Sequence, residues 1–177
     1  MTEGAGSGLL LVYTGPGKGK TTAALGLALR MLGHGGRVAL VQFLKGQAET
    51  GELAALGRFP GFLAEQAGRR AFVNLARPAA EDVALAEGGL RRAAELLASG
   101  EYRLVILDEV NVAAGYGLLQ SSEVLKAVQA RAPGVHVVLT GRQAPPEFLA
   151  AADLVTVMQE IKHPFQAGLP AQEGIEY

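Results

Sequence analysis

The sequence contains no cysteine and no tryptophan. The lack of cysteine excludes disulfide bonds, thiol catalysis and metal sites built on cysteine, and it favours a cytosolic protein. The 17 acidic and 16 basic residues nearly cancel, so no excess of charge points to nucleic acid or to a membrane surface. No apolar run reaches the roughly 18 residues needed to span a bilayer, and the first residues lack the pattern of a signal peptide. We therefore expect a cytoplasmic protein with no nucleic-acid or membrane partner.

The composition is otherwise that of a folded chain. Hydrophobic residues make up 49% of the 177 positions, which excludes an intrinsically disordered protein. This length predicts one domain with a substantial core. We expect residues 1–7 to form a flexible tail and residues 8–177 to form the domain. Glycine is unusually frequent, at 24 residues, about twice its ordinary share.

Apolar runs alternate with helical patterns along the chain. The apolar runs predict strands at residues 9–13, 38–44, 71–75, 104–107, 135–140 and 154–161. The helical patterns predict helices at residues 21–32, 52–56, 79–98 and 124–130. Because strands and helices alternate, the sequence predicts an α/β fold whose mainly parallel sheet is flanked by helices.

A glycine-rich segment, YTGPGKGKTT at residues 13–22, lies between the first predicted strand and helix. Glycines allow backbone N–H groups to converge on phosphate oxygens, and the helix N-terminus favours the same anion. Lys20 would supply positive charge to the phosphates, and the Thr21 hydroxyl would bind Mg²⁺ or Mn²⁺. The predicted nucleotide-binding residues are Gly15, Pro16, Gly17, Lys18, Gly19, Lys20, Thr21 and Thr22. The loop is one residue short of the usual spacing, and an ordinary glycine-rich turn with two surface lysines is the alternative.

Two carboxylates, Asp108 and Glu109, follow the apolar run at residues 104–107. The carboxyl ends of parallel strands face the ligand crevice, so we expect Asp108 to approach the metal ion. Glu109 occupies the position where many ATPases keep the residue that activates water. The alternative is that one of the two carboxylates only caps the next helix.

Three further segments complete a family pattern. They are QFLKG at residues 42–46, LTGR at residues 139–142 and KHPFQAGLPAQEGIEY at residues 162–177. Together with GPGKGKTTAALG and LDEVN, these segments resemble the phosphate-loop ATP:cob(I)alamin adenosyltransferases. The resemblance extends from about residue 9 to the last residue.

That resemblance implies a single-domain P-loop fold of the RecA type and a homodimer. It implies transfer of the 5′-deoxyadenosyl group of ATP to the Co(I) of a reduced corrinoid, with release of triphosphate, in adenosylcobalamin synthesis or salvage. It also implies a flavoprotein as the reductant, and an ATP molecule that lies across the loop in the reverse of the common direction.

The resemblance also assigns roles to charged residues. Co(I) is a strong nucleophile, so no general base is needed, but the charge of the leaving triphosphate must be held by cations. Lys18, Lys20 and the metal ion would supply them, and the family places an arginine near the nucleotide at the position of Arg30. Lys45 and Arg142 end strands on the crevice side and would join the site. The expected catalytic residues are Lys20, Glu109 and Arg142. For Arg30 the alternative is a solvated helix residue, and for Lys45 and Arg142 it is an ordinary loop cation.

The corrinoid side departs from the family pattern. Many members carry Gly-Phe-Thr-Trp where this chain has Ala71–Asn74, so only Phe72 remains to pack under the corrin ring. The alternative is that Phe72 is a core residue. We expect the C-terminal segment to cover the sheet through apolar anchors, the alternative being a disordered tail, and we do not expect His163 to bind metal.

Two other functions remain open on the sequence. One is an ordinary ATPase or phosphotransferase, in which Glu109 orients water or an acceptor hydroxyl. The other is a non-catalytic, ATP-dependent switch. The phosphate product separates these functions, because only adenosyl transfer releases triphosphate and only in the presence of the corrinoid.

Overall fold

The computed structural model describes residues 8–46, 50–69, 71 and 73–176. Its strands are β1 (Leu10–Thr14), β2 (Val38–Phe43), β3 (Phe62–Ala67), β4 (Leu104–Asp108), β5 (His136–Thr140) and β6 (Leu154–Val157). Its helices are α1 (Lys20–Gly33), α2 (Gly51–Leu56), α3 (Ala80–Ala98), α4 (Val110–Gly115), α5 (Ser121–Gln129) and α6 (Pro146–Ala151), and a short 3₁₀ helix follows at Pro164–Ala167.

The six strands form one sheet in the order β3-β2-β4-β5-β1-β6. All five strand pairings are parallel. In the register of the sheet, Val12 of β1 is opposite Leu139 of β5 on one side and Val155 of β6 on the other. The α/β fold with a parallel sheet, predicted from the alternation of elements, is confirmed.

Helices cover both faces of this sheet, and successive strand residues point to opposite faces. Leu107 and Leu139 pack on the face covered by α3, α4, α5 and α6. Ile106 and Val138 pack on the other face, against α1 and α2. The central strands are therefore buried on both sides, which is the reason that their sequences are continuous apolar runs.

The predicted strand at residues 71–75 is wrong. The edge strand beside β2 is β3, and residues 73–75 form no strand, while Phe72 lies outside the described residues. β3 is only half-buried, and polar residues replace an apolar run. Glu65 accepts hydrogen bonds from Nε of Arg92 at 3.0 Å, and Nε2 of Gln66 donates to Oε1 of Gln42 at 3.0 Å. Because this edge strand has polar partners on α3 and β2, its sequence has no continuous apolar run from which a strand could be predicted.

The sequence patterns did not predict two of the short helices, α4 and α6, or the 3₁₀ helix. They also predicted too long a last strand, because β6 ends at Val157 rather than at Ile161. All four β6 residues are exposed, so this strand is an open edge of the sheet. Over the described residues, none of the helices combines the length and the apolar character that crossing a bilayer requires.

Candidate functional site

The glycine-rich loop joins β1 to α1 and packs against the chain that follows β6. Gly15 and Gly19 have φ angles of +100° and +112°, in the left-handed region that favours glycine. The backbone N–H of Gly17 donates to the carbonyl of Met158 at 2.8 Å. A Cβ atom on Gly17 would lie 2.6 Å from the carbonyl oxygen of Gln159. Both the backbone conformation and this close approach therefore require glycine in the loop.

Lys20 lies at the first position of α1, and its side chain crosses the loop. It is 7% exposed, and its Nζ donates to the carbonyls of Gly15 at 2.9 Å and Gly17 at 2.6 Å. Burial lowers the pKa of Lys20, and the charge of Arg142 lowers it further. The carboxylates of Glu109 and Asp108 raise it. The ammonium group is thus held inside the loop and within the field of the predicted site residues.

Asp108 ends β4 and is the centre of the polar network. Its side chain is fully buried, and donors from four elements or loops reach the carboxylate. Oδ1 accepts from the hydroxyls of Thr21 at 2.8 Å and Thr140 at 2.7 Å. Oδ2 accepts from Nε2 of Gln42 and Nζ of Lys45, both at 3.0 Å. The structure therefore brings together Thr21, Lys45 and Asp108, three of the predicted residues.

The residues present suit Mg²⁺, because the hydroxyl of Thr21 and the carboxylate of Asp108 are adjacent hard oxygen ligands. Among the described residues, no group of three or more histidine or acidic side chains could hold a metal ion. Mg²⁺ commonly binds through one or two protein oxygens plus the phosphates of a substrate. The donor set therefore fits a metal ion that arrives with a nucleotide.

Glu109 follows Asp108 in the left-handed region, with φ of 62°, which is strained for a residue with a side chain. Its backbone N–H donates to Oγ1 of Thr140 at 3.0 Å, and its side chain does not cap α4. Burial and the neighbouring Asp108 raise the pKa of Glu109, while Lys45, Lys20 and Arg142 lower it. The half-buried carboxylate therefore lies within the field of three cations.

The other predicted cations are more exposed. Arg142 is exposed in the loop after β5, and its charge acts on both Lys20 and Glu109. Arg30 is exposed near the end of α1, about 15 Å along the helix from Lys20. Its charge acts on the hydroxyl of Tyr13, whose pKa is raised by burial and lowered by Arg30. Arg142 therefore joins the site through the effect of its charge on Lys20 and Glu109, and the position of Arg30 far along α1 does not bring it to the network around Asp108.

Lys18 faces the C-terminal segment. Its Nζ donates to the carbonyl of Ile175 at 2.9 Å and forms an ion pair with Glu176. The C-terminal segment, which was predicted to cover the sheet, therefore contacts the loop through one backbone carbonyl and one carboxylate. Three of its expected apolar anchors, Phe165, Leu169 and Ile175, do not pack against the sheet, because they are 80%, 51% and 70% exposed. Of the remaining loop residues, Pro16 and Thr22 are exposed.

Sequence reasoning missed three buried polar residues, Gln42, Thr140 and Asn111. All three lie within motifs, QFLKG, LTGR and LDEVN, in which the sequence assigns roles only to neighbouring residues. Nδ2 of Asn111 donates to the carbonyls of Tyr13 at 3.2 Å and Gly141 at 3.1 Å, so it ties the start of the glycine loop to the loop that carries Arg142. The sequence did contain a clue to the role of Asn111, because an amide side chain stands there among apolar residues, two positions after Glu109.

Two cavities differ in their position relative to the glycine loop. The larger, of about 530 Å³, lies between α3 and α5 and does not touch the glycine loop. The smaller, of about 350 Å³, lies next to the site. Its lining residues are Arg142, Glu160, His163, Phe165 and Gln166.

The parallel sheet, with a glycine loop after its first strand and a carboxylate at the end of a central strand, is typical of nucleotide-binding proteins with a P-loop-type fold. Over residues 6–177 the chain matches the family described as ATP:corrinoid adenosyltransferase BtuR/CobO/CobP, and it belongs to that family. It is therefore a transferase, and ATP-dependent adenosylation of a corrinoid is the general reaction of the family.

Several corrinoid adenosyltransferases are similar to this chain over nearly its whole length. The protein of Pseudomonas aeruginosa is 45% identical over 170 residues, covering 96% of this chain and 84% of that protein. The protein of Sinorhizobium sp is 40% identical over 172 residues, covering 96% and 80%. The protein of Escherichia coli is 37% identical over 170 residues, covering 96% and 86%.

Proposed function

We propose that this chain transfers the 5′-deoxyadenosyl group of ATP to the Co(I) of a reduced corrinoid and releases triphosphate. The observation that carries the proposal, beside family membership, is the cluster of cations around the glycine loop. Lys20 spans the loop, Lys45 contacts Asp108, and the charge of Arg142 reaches Lys20. Such a cluster suits a leaving group of high negative charge.

In this reaction the cobalt attacks C5′ of ATP. The cobalt–carbon bond forms as the C5′–O bond breaks, triphosphate leaves with the electron pair, and Co(I) becomes Co(III). The protein does not need to remove a proton from the nucleophile. Its main contribution is to orient C5′ and to stabilise the charge that develops on the departing oxygen. Lys20, Arg142 and the N–H groups of the loop would do this.

We assign the metal ion to Thr21 and Asp108, supported by their adjacent oxygens. When bound, Mg²⁺ or Mn²⁺ would add positive charge beside the triphosphate. Nζ of Lys45 forms an ion pair with Asp108 at 3.0 Å, and we expect this ammonium group to move towards the phosphates when the metal binds. Glu109 would help to position the nucleotide or the metal ion, rather than activate water.

Other parts of the proposal rest on the family alone. They are contact of Arg30 with the nucleotide, packing of Phe72 under the corrin ring, a homodimer, and reduction of the corrinoid by a flavoprotein. We propose a cytoplasmic location because the reaction consumes ATP. The role of Phe72 stays a prediction, since this residue lies outside the described part of the chain.

The test is to incubate the protein with ATP, Mg²⁺ and chemically reduced corrinoid and to identify the phosphate product. We expect triphosphate, formed only when the corrinoid is present and in equal amount to the adenosylated corrinoid. Release of ADP without corrinoid would instead support an ATPase, and tight ATP binding without any product would support a switch.

A further inference from the structure

Arg142 lies in the loop of residues 141–144, which follows β5 and packs on α4. The next residue, Gln143, has a φ angle of 53°, in the left-handed region that is strained for a residue with a side chain. Such a conformation persists only where the surrounding structure imposes it. Part of that structure is α4, since a Cβ atom on Gly115 would lie 2.8 Å from the carbonyl oxygen of Gln143. The position of Arg142 therefore depends on the contacts of this loop with its neighbours.

Two hydrogen bonds join the same loop to the end of β1. The backbone N–H of Gly141 donates to the carbonyl of Tyr13 at 3.2 Å. The backbone N–H of Ala144 donates to Oγ1 of Thr14, also at 3.2 Å. Both acceptors lie just before Gly15, the first glycine of the glycine loop. The two loops are thus anchored side by side.

The side chain of Asn111 is a third link, and it contacts both loops at once. It is fully buried, and its Nδ2 donates to the carbonyls of Tyr13 at 3.2 Å and Gly141 at 3.1 Å. Its Oδ1 is buried without a hydrogen-bond partner in the described part of the chain. Because an unpaired buried oxygen is unfavourable, the benefit of an amide at this position lies in the two hydrogen bonds that it donates.

Close packing transmits the position of Asn111 to the loop. A Cβ atom on Gly141 would lie 3.0 Å from Cβ of Asn111 and 3.1 Å from the backbone nitrogen of Val112. The main chain of the loop therefore rests directly on the first turn of α4. A shift of either contact surface must move Arg142, which is the next residue of the loop.

We propose that Asn111 is a positioning residue for adenosyl transfer. It sets the distance between the glycine loop, which binds the triphosphate, and Arg142, whose charge stabilises the triphosphate as it leaves. The inference rests on the proposed function, because it requires Arg142 to act on the leaving group. An interaction that strengthens in the transition state affects the chemical step more than substrate binding. A displaced Arg142 should therefore slow transfer and leave ATP binding nearly intact.

The test measures two quantities for each variant. One is the rate of adenosyl transfer in a single turnover, with prereduced corrinoid and saturating ATP and Mg²⁺. The other is the Kd for ATP, from titration calorimetry. Asn111→Leu keeps the branched shape of the side chain and removes both hydrogen bonds. We expect the rate to fall by about tenfold to a hundredfold, since a displacement of about 1 Å can cost about a hundredfold, and the Kd to change by less than about threefold.

A second variant approaches the same contact from the loop. Gly141→Ala places a methyl group against Asn111, so it should show the same loss of rate with little change in Kd. The matched control is Gly134→Ala, at the opposite end of β5. Gly134 also has a positive φ angle, of 78°, and its Cβ would have no neighbour closer than 3.9 Å, on Arg103. Gly134→Ala should lower the unfolding midpoint without changing the rate of transfer.

A double-mutant cycle separates positioning from a loss of stability. If Asn111 acts through Arg142, then adding Asn111→Leu to Arg142→Ala should cause little further loss of rate, because coupled residues are not additive. The same cycle made with Gly141→Ala tests the proposal even if Asn111→Leu does not fold. The unfolding midpoint shows which variants are folded at the temperature of the assay.

Four results would overturn the proposal. The first is a wild-type rate for Asn111→Leu, and the second is a wild-type rate for Arg142→Ala. The third is additive losses in the cycle, which would mean that Asn111 does not act through Arg142. The fourth is an equal loss of rate and of ATP affinity, which would make Asn111 a general support of the nucleotide site. A wild-type protein that adenosylates no corrinoid would instead contradict the proposed function itself.

Discussion

Lys20 is the residue on which the phosphate site depends most directly, because its ammonium group is buried and spans the loop. We predict that Lys20→Ala reduces turnover by about tenfold to a hundredfold or more, since a hydrogen bond to a charged group contributes about 1.5–3 kcal/mol. Steady-state kinetics measure the turnover, and the unfolding midpoint measures the stability of the variant. Lys126→Ala, at a side chain that is 77% exposed on α5, should change neither. Near-normal turnover of Lys20→Ala would contradict the assignment.

His136 makes the stability of the fold depend on pH. Its Nδ1 accepts a hydrogen bond from the backbone N–H of Leu9 at 3.1 Å. Burial lowers its pKa from 6.5, and the charges of Arg103 and Arg131 lower it further. Because the folded state favours the neutral ring, its contribution to stability is complete above pH 6.5 and is lost as the pH falls through the lower pKa of the folded state.

We therefore predict that the free energy of unfolding decreases between pH 7 and pH 5 more steeply in the wild type than in His136→Asn. Urea unfolding at a series of pH values measures this difference. The exposed His34 provides the control, since His34→Asn should keep the wild-type dependence on pH. Identical pH profiles for wild type and His136→Asn would show that the His136 ring does not contribute to the pH dependence of the free energy of unfolding.

At the residue scale, the sequence predicted those site residues whose chemistry belongs to a recognisable motif. The motifs predicted that Thr21, after the loop that follows β1, would lie near Asp108 at the end of β4, because parallel strands present their carboxyl ends at the same edge of the sheet. The motifs could not reveal that Gln42 and Thr140 complete the shell of Asp108, since their role depends on which strands are neighbours. The strand order follows from packing between distant segments.

Among the elements, the C-terminal segment shows a contact that ATP should disturb. Lys18 contacts the carbonyl of Ile175 and the carboxylate of Glu176, whereas the resemblance to the family places its charge at the triphosphate. We predict that Glu176→Gln strengthens triphosphate binding by up to about fivefold, because partly exposed ion pairs contribute about 0–1 kcal/mol. Calorimetric titration measures the change. The matched variant Glu173→Gln should have no effect, and weaker binding by Glu176→Gln would mean that this carboxylate supports the site.

The elements also differ in how well sequence predicted them. β2, β4 and β5 were predicted within about one residue at each end, because strands buried on both faces must be apolar throughout. β3 was misplaced because an edge strand tolerates polar residues such as Glu65. α4 and α6 are six residues each, too short to display a helical period.

For the molecule as a whole, the open edge at β6 bears on the proposed homodimer. Leu154, Val155 and Val157 are 43%, 41% and 51% exposed on β6, the last strand in the order of the described sheet. Exposed apolar edge strands favour association. We predict that the wild type sediments as a dimer at micromolar concentration and that Val155→Lys shifts it to monomer.

The control for association is Phe59→Lys, next to the opposite edge of the sheet, which should leave the sedimentation coefficient unchanged. Circular dichroism checks that Val155→Lys remains folded. A wild type that sediments as a monomer at all concentrations would contradict both the homodimer and the role of β6.

The strand order has a consequence for how the protein is made on the ribosome. β1 carries the glycine loop and leaves the exit tunnel early, yet its partners in the described sheet are β5 and β6, which are among the last elements to be synthesised. β2, β3 and β4 can pair with one another before that point. Such long-range pairing makes folding slow, so the nascent chain should acquire ATP binding only after Val157 has emerged, when most of the polypeptide is already folded.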